Sequence, residues 1–189
     1  MGRKKAVNLT YSSHMSVIAT LNVGRNSATS SGGNSTALSS PADRERFLAL
    51  HRGAGSFLVG RNSYSAERYS STDTPIYILS RSALAVPGAP HNVTVISEPT
   101  LIESAREIYR RGPHPIIVEA GISLLLPLID SGCIEELELS LSPTDGDGNF
   151  VDVRELLKHF EVISDSNIDG TRLLKCRYHG DSAYGESYS

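Results

Sequence analysis

The sequence predicts an α/β fold: a three-layer domain with a central mixed sheet flanked by helices. Two observations carry this. Short apolar runs that stop at a glycine or a polar turn (Phe57 to Val59, Ile76 to Leu79, Val93 to Ile96, Ile116 to Val118) alternate with stretches of helical periodicity. After Ile134 the pattern changes to residue-by-residue alternation and then a hairpin signal, which adds antiparallel strands to a parallel core.

Taken in order, residues 22–40 are rich in Gly, Ser, Asn and Thr and read as a long loop. Ser40-Pro41-Ala42-Asp43 opens a helix: serine caps, proline suits the first turn, and the carboxylate meets the positive helix end. Phe47, Leu48 and Leu50 give that helix an apolar side, and Gly53 and Gly55 end it. The strand Phe57 to Val59 stops at Gly60, and Ile76 to Leu79 runs into the turn Ser80-Arg81-Ser82. After Val93 to Ile96, a helix from about Thr100 to Arg111 sets Leu101, Ala105, Ile108 and Tyr109 on one face before Gly112-Pro113 breaks it. Ile116 to Val118 leads through Gly121 into a helix over Leu124, Leu125, Leu128 and Ile129. Leu137, Leu139 and Leu141 alternate with Glu136, Glu138 and Ser140, the pattern of a half-exposed strand. Asp152 starts a short helix, and Asp169-Gly170 joins Phe160 to Ser164 with Arg172 to Tyr178 in a closing hairpin. Residues 1–179 are expected to form a single domain and residues 180–189, nearly devoid of apolar groups, a disordered tail.

Composition narrows the function. The 189 residues carry a net charge of −3, with the basic residues Arg3, Lys4 and Lys5 clustered only at the start, so a nucleic-acid partner is not expected. The longest apolar stretch, Ile122 to Ile129, is interrupted by Ser123 and Pro127 and is too short to span a bilayer. Two distant cysteines, Cys133 and Cys176, and no secretory apolar region after Lys5 fit a cytoplasmic protein. The six histidines show no i, i+4 pair, and Asp145-x-Asp147-x-Asn149 lacks the glycine and glutamate of a calcium loop, so no metal is expected.

Three strand ends carry chemistry suited to phosphate. Gly60-Arg61-Asn62-Ser63 follows a buried strand with a glycine turn and a hydroxyl. Glu119-Ala120-Gly121-Ile122-Ser123 brings a strand into a helix N-terminus without a dinucleotide-binding G-x-G-x-x-G. Ser80-Arg81 offers a hydroxyl and a guanidinium fork. Each motif alone also fits an ordinary turn or close helix–strand packing; their coincidence at successive strand ends points to a ligand.

These motifs, in this order, resemble the reductase domain of the riboflavin-pathway deaminase–reductases, a branch of the dihydrofolate-reductase-like fold. Leu38-Ser39-Ser40-Pro41-Ala42, Phe57 to Gly60, Leu79-Ser80-Arg81, Val118-Glu119-Ala120-Gly121, Ile134-Glu135-Glu136-Leu137 and Ser142-Pro143 carry the likeness, over about Val7 to Phe150. The likeness implies an NADPH-dependent oxidoreductase: 5-amino-6-(5-phosphoribosylamino)uracil reductase chemistry, with hydride delivered to C1′ of a ring-opened ribose. It places Ala19 by the nicotinamide, Gly60, Arg61, Asn62, Ser63, Gly121, Ile122 and Ser123 around the pyrophosphate, and Ser80 and Arg81 on the 2′-phosphate. Glu119 is the implied catalytic residue, with Ser13, Ser35 and His51 also facing substrate. It further implies a homodimer, with Ile134 to Ser142 and the following loop at the interface, and no deaminase domain in this chain. The sequence departs from the family at Met15 and Ser16, where Asp and Gly are usual, at Ala37 for an aromatic residue, and at His51 for an arginine. The cofactor side is therefore better kept than the substrate side. The alternatives are a non-catalytic nucleotide-binding or regulatory protein of the same fold, or a reductase of another heterocycle such as dihydrofolate.

Overall fold

The computed structural model describes residues 16–66, 69, 73–80, 90–97 and 100–180. The expectations for Ser13, Met15, Arg81 and the tail beyond residue 180 lie outside them.

Among the described residues, ten strands and five α-helices follow one another as β1 (Val17–Val23), β2 (Ala28–Ser30), α1 (Pro41–Gly53), β3 (Ser56–Gly60), α2 (Arg61–Ala66), β4 (Ile76–Leu79), β5 (Val93–Ile96), α3 (Leu101–Arg111), β6 (Ile116–Glu119), α4 (Ile122–Asp130), β7 (Glu136–Leu141), β8 (Gly148–Phe150), α5 (Val153–Leu157), β9 (Phe160–Ile168) and β10 (Thr171–Tyr178). Eight strands form one sheet in the order β5-β4-β3-β6-β1-β7-β10-β9. Its pairs are parallel from β5 through β7, and β10 runs antiparallel to both β7 and β9. The fold class is thus the mixed three-layer α/β arrangement expected.

Alternation along the strands divides the core in two. Val17, Ala19, Leu21 and Val23 of β1 join Leu58, Val118, Leu137 and Leu139 against Ala105, Ile108, Leu125 and Ile129 of α3 and α4. Ile18, Phe57, Val59, Ile76, Ile78 and Ile117 point the other way, toward Leu50 of α1. Burying both faces is what makes the short strands read as unbroken apolar runs.

Local signals fix the element ends. The Ser40 hydroxyl accepts from the Asp43 amide at 3.2 Å, capping α1 as expected. Asp152 accepts from the amides of Arg154 and Glu155 and caps α5. Asp169 and Gly170 turn β9 into β10 with φ of 50° and 84°, the left-handed conformations that a two-residue hairpin turn needs.

Two expectations change. Residues 22–40 are not one continuous loop: β2 pairs with β8 as a separate two-stranded ribbon, and Thr36–Leu38 forms a 3-10 turn. Gly24 and Gly146 permit this crossing, since a Cβ on Gly146 would stand 2.4 Å from the Ser30 carbonyl oxygen and one on Gly24 2.7 Å from that of Thr144. Second, β7 is not half exposed: Glu138 and Ser140 are buried because α1 lies across their face and answers them with Arg46 and Asp43. Strand β7 is itself paired on both sides, by β1 and β10.

Candidate functional site

The parallel strands end at one rim of the sheet, and a cavity of about 580 Å³ opens there under the first turns of α1, α2 and α4. Ligands in open α/β sheets collect at this rim because helices start there with unpaired amides. The cavity brings together Ser35, Gly60, Arg61, Asn62, Ser63, Ser80, Glu119, Gly121, Ile122 and Ser123. Ala19 is not among its walls: it is fully buried in the core, and the next residue along β1, Thr20, lines the cavity instead. His51 reaches it through Glu119.

Gly121 is the N-cap of α4, and no side chain caps the helix. Its carbonyl accepts from Leu124 and Leu125, so the amides of Ile122 and Ser123 precede the first intrahelical bond. A Cβ built on Gly121 meets no protein atom within 4 Å. Close helix–strand packing is therefore not what this glycine serves, and it lines the cavity. Gly60 is similarly roomy, its Cβ position 3.7 Å from a Leu124 methyl. Arg61 Nε donates to Ser80 Oγ at 3.2 Å, tying the ends of β3 and β4 together.

Glu119 ends β6 with 6% exposure, a buried carboxylate that still lines the cavity. His51 Nε2 pairs with its Oε1, and the Tyr69 hydroxyl donates to its Oε2. Phe47 lies 4.1 Å from the His51 ring between centroids and Phe57 4.6 Å, while Tyr64 stacks on Tyr69 at 5.6 Å. Aromatic walls exclude water from the carboxylate, and two polar partners replace that water. Tyr69 was not legible from sequence, because nothing in Arg68-Tyr69-Ser70 marks a site.

At the other end of the cavity, Arg46 donates to Glu138 Oε2 at 3.1 Å, to the Leu174 carbonyl at 3.1 Å and to Ser140 Oγ at 2.6 Å. Ser140 donates to Asp43 Oδ1, and Ser39 and Asn22 both reach Asp43 Oδ2. Burial holds the Arg46 guanidinium below its ordinary pKa despite Glu138 and Asp43 nearby. Burial likewise raises the Glu138 carboxyl against the opposing charges of Arg46 and Lys175. In both groups desolvation outweighs the pairing, the mark of an ion pair kept for arrangement more than for stability. Among the described residues, no group of three or more His, Cys, Asp or Glu is placed to hold a metal ion.

No family model matches the sequence, and no curated protein does. Solved structures do match the fold. A Shewanella protein named for riboflavin biosynthesis is 16% identical with a TM-score of 0.67, over 88% of this chain and 100% of that one. A pyrimidine reductase-like protein of Corynebacterium diphtheriae is 13% identical with a TM-score of 0.68, over 88% and 92%. The Thermotoga maritima diaminohydroxyphosphoribosylaminopyrimidine deaminase/5-amino-6-(5-phosphoribosylamino)uracil reductase is 14% identical with a TM-score of 0.65. This chain spans 56% of its length.

Proposed function

We propose that this chain, which shares its fold with solved riboflavin-biosynthesis and pyrimidine reductase-like proteins, is an NADPH-dependent reductase that takes an aminopyrimidine-type substrate into the cavity at the carboxyl rim of its sheet. The observation that carries the reading is the start of α4 on the cavity: Gly121, Ile122 and Ser123 line it, no side chain caps the helix, and no protein atom stands within 4 Å of where a Gly121 Cβ would be. A pyrophosphate at this point would have its charge favoured by the helix N-terminus.

NADPH would be held along one line of residues. Gly121, Ile122 and Ser123 take the pyrophosphate, with Gly60, Asn62 and Ser63 on its other side. Ser80 and Arg61 stand at the 2′-phosphate end, and Thr20 lies at the nicotinamide end in place of Ala19; the expected role of Arg81 lies outside the described residues. The cofactor, when bound, supplies the hydride. Glu119 serves as the acid–base group at the substrate: Tyr69 fixes one of its oxygens and His51 the other, so the carboxylate is held at the cavity wall with a histidine positioned to share its proton. Ser35 closes the cavity from the loop side. Much of the rate comes from holding substrate and cofactor together out of water.

Residues 16–180 act as one catalytic domain in this reading, working as a homodimer. The free sheet edge at β9 supports a second copy: from Glu161 to Ile168 the strand is exposed, with Val162, Ile163 and Ile168 among its side chains. Parallel titrations with NADPH and NADH test the reading; preferential NADPH binding supports it, and binding of neither refutes it.

A further inference from the structure

We propose that His51 is the proton port of this site, the side chain through which water recharges the Glu119 carboxyl from behind the cavity. The proposal rests on the reductase reading of the cavity and names the supply of the one reactant that a hydride cofactor does not carry.

Three groups stand in series between solvent and cavity. Glu119 is 6% exposed and lines the cavity. Its partners among the described residues, His51 at Oε1 and Tyr69 at Oε2, do not line it and so stand behind the carboxylate. They differ in what they touch there. Tyr69 is 3% exposed, stacked on Tyr64 and set edge-on to Phe57. His51, in the last turn of α1, keeps 21% of its side chain exposed. Because the ring is no part of the cavity wall, that exposure opens to bulk solvent. Phe47 and Phe57, with centroids 4.1 and 4.6 Å from the imidazole, pack around it. His51 therefore meets water on one side and the buried carboxylate on the other.

Chemistry separates the two partners in the same way. A nicotinamide delivers a hydride and no proton, so each reduction draws one proton from the acid at the substrate. With cofactor and substrate filling the cavity, that proton has to return through the protein. A phenol, with an ordinary pKa of about 10, keeps its proton at neutral pH, whereas an imidazole gives and takes one there. Tyr69 thus fixes Oε2 by donating to it, and Oε1 is the oxygen that exchanges with His51. In the recharging step the Nε2–H bond of the imidazolium breaks and an O–H bond forms at Oε1, giving neutral imidazole and a carboxylic acid. The imidazole then takes a proton from water. The net change is one proton moved from solvent to the acid, with no electron transferred. His51 acts through Glu119 and is a positioning residue rather than a catalytic one.

NADPH oxidation with 5-amino-6-(5-phosphoribosylamino)uracil, measured beside NADPH affinity, tests this in the parent, His51→Gln and His51→Gly. The glutamine keeps an N–H for Oε1 but passes no proton on, and the glycine leaves room for imidazole from solution. Both variants are expected to bind NADPH as the parent does and to lose about 100-fold in kcat. Imidazole should restore turnover to His51→Gly in proportion to its concentration, which a purely structural role would not show. A His51→Gln variant as active as the parent, or a folded His51→Gly variant that imidazole does not restore, would overturn the port. A parent that binds no NADPH refutes the reductase reading and the port with it; either earlier result with NADPH binding intact strikes the port alone. The route is also read without turnover or substitution, in protein labelled with nitrogen-15 histidine. Exchange of the His51 ring N–H protons with water should continue at the same rate when NADPH saturates the cavity. Exchange that stops on NADPH binding would place the route through the cavity and overturn the proposal, and this measurement decides if His51→Gly does not fold or the pyrimidine is not turned over.

Discussion

Replacing Gly121 with valine separates cofactor binding from folding. The residue has φ of −61° and ψ of 157°, a conformation that valine adopts without strain. The new Cβ meets no protein atom within 4 Å, so nothing in the fold must move. The cost to stability is that of exchanging a tolerated N-cap for a poor one, about 1 kcal/mol. In a chain of this size that lowers the melting temperature by roughly 2–4 °C. On the proposed reading, the valine methyls compete with the pyrophosphate for the open space at the start of α4. Each charge-assisted hydrogen bond from those amides to a pyrophosphate is worth about 1.5–3 kcal/mol, so losing both weakens NADPH by roughly two to four orders of magnitude. Calorimetric titration with NADPH and thermal unfolding, run on the same preparations with Gly121→Ala as an intermediate step, read the two effects apart. A valine variant that binds NADPH as the parent does would refute the cradle at α4 and move the cofactor elsewhere.

Three further outcomes follow from the same geometry. Glu119→Gln keeps the hydrogen-bonding shape but loses the acid–base function, so kcat should fall far more than NADPH affinity; the reverse pattern in steady-state kinetics would make Glu119 structural. Arg46→Met leaves Glu138 buried without its cation and should destabilise the fold by about 3 kcal/mol in denaturant unfolding, while Arg46→Met with Glu138→Leu recovers most of the loss. A single variant as stable as the parent would contradict the buried network. Gly146→Ala forces a methyl against the Ser30 carbonyl and should cost about 1–3 kcal/mol by prising β2 from β8, and an unchanged melting temperature would show that the crossing is looser than it looks.

The fold was legible where local chemistry and tertiary context agree. Ser40-Pro41 and Asp152 start helices in the structure as their capping chemistry dictates, and Asp169-Gly170 makes the turn that its residues favour. Glu119 and Gly121 lie together because the strand that ends at the one leads directly into the helix that begins after the other. The polar end of the cavity was hidden for an equally physical reason. Alternating Glu and Ser on β7 looks the same whether that face meets water or a helix, and only the α1 crossing decides it. Nothing local to α1 shows that Asp43 and Arg46 meet β7, which lies beneath them. Strands β2 and β8 escaped notice because three residues each, among glycines and serines, carry no measurable period. Places where polar residues interrupt otherwise apolar strands are where a fold departs from its own pattern, and here they border the cavity.

The most direct test of the central claim is a side-by-side titration of the protein with NADPH and NADH, followed by cofactor fluorescence. The account predicts micromolar NADPH binding and much weaker NADH binding, because it assigns the 2′-phosphate to the Ser80 end of the cavity. Equal affinities would remove that assignment, and no binding of either would contradict the reductase reading itself.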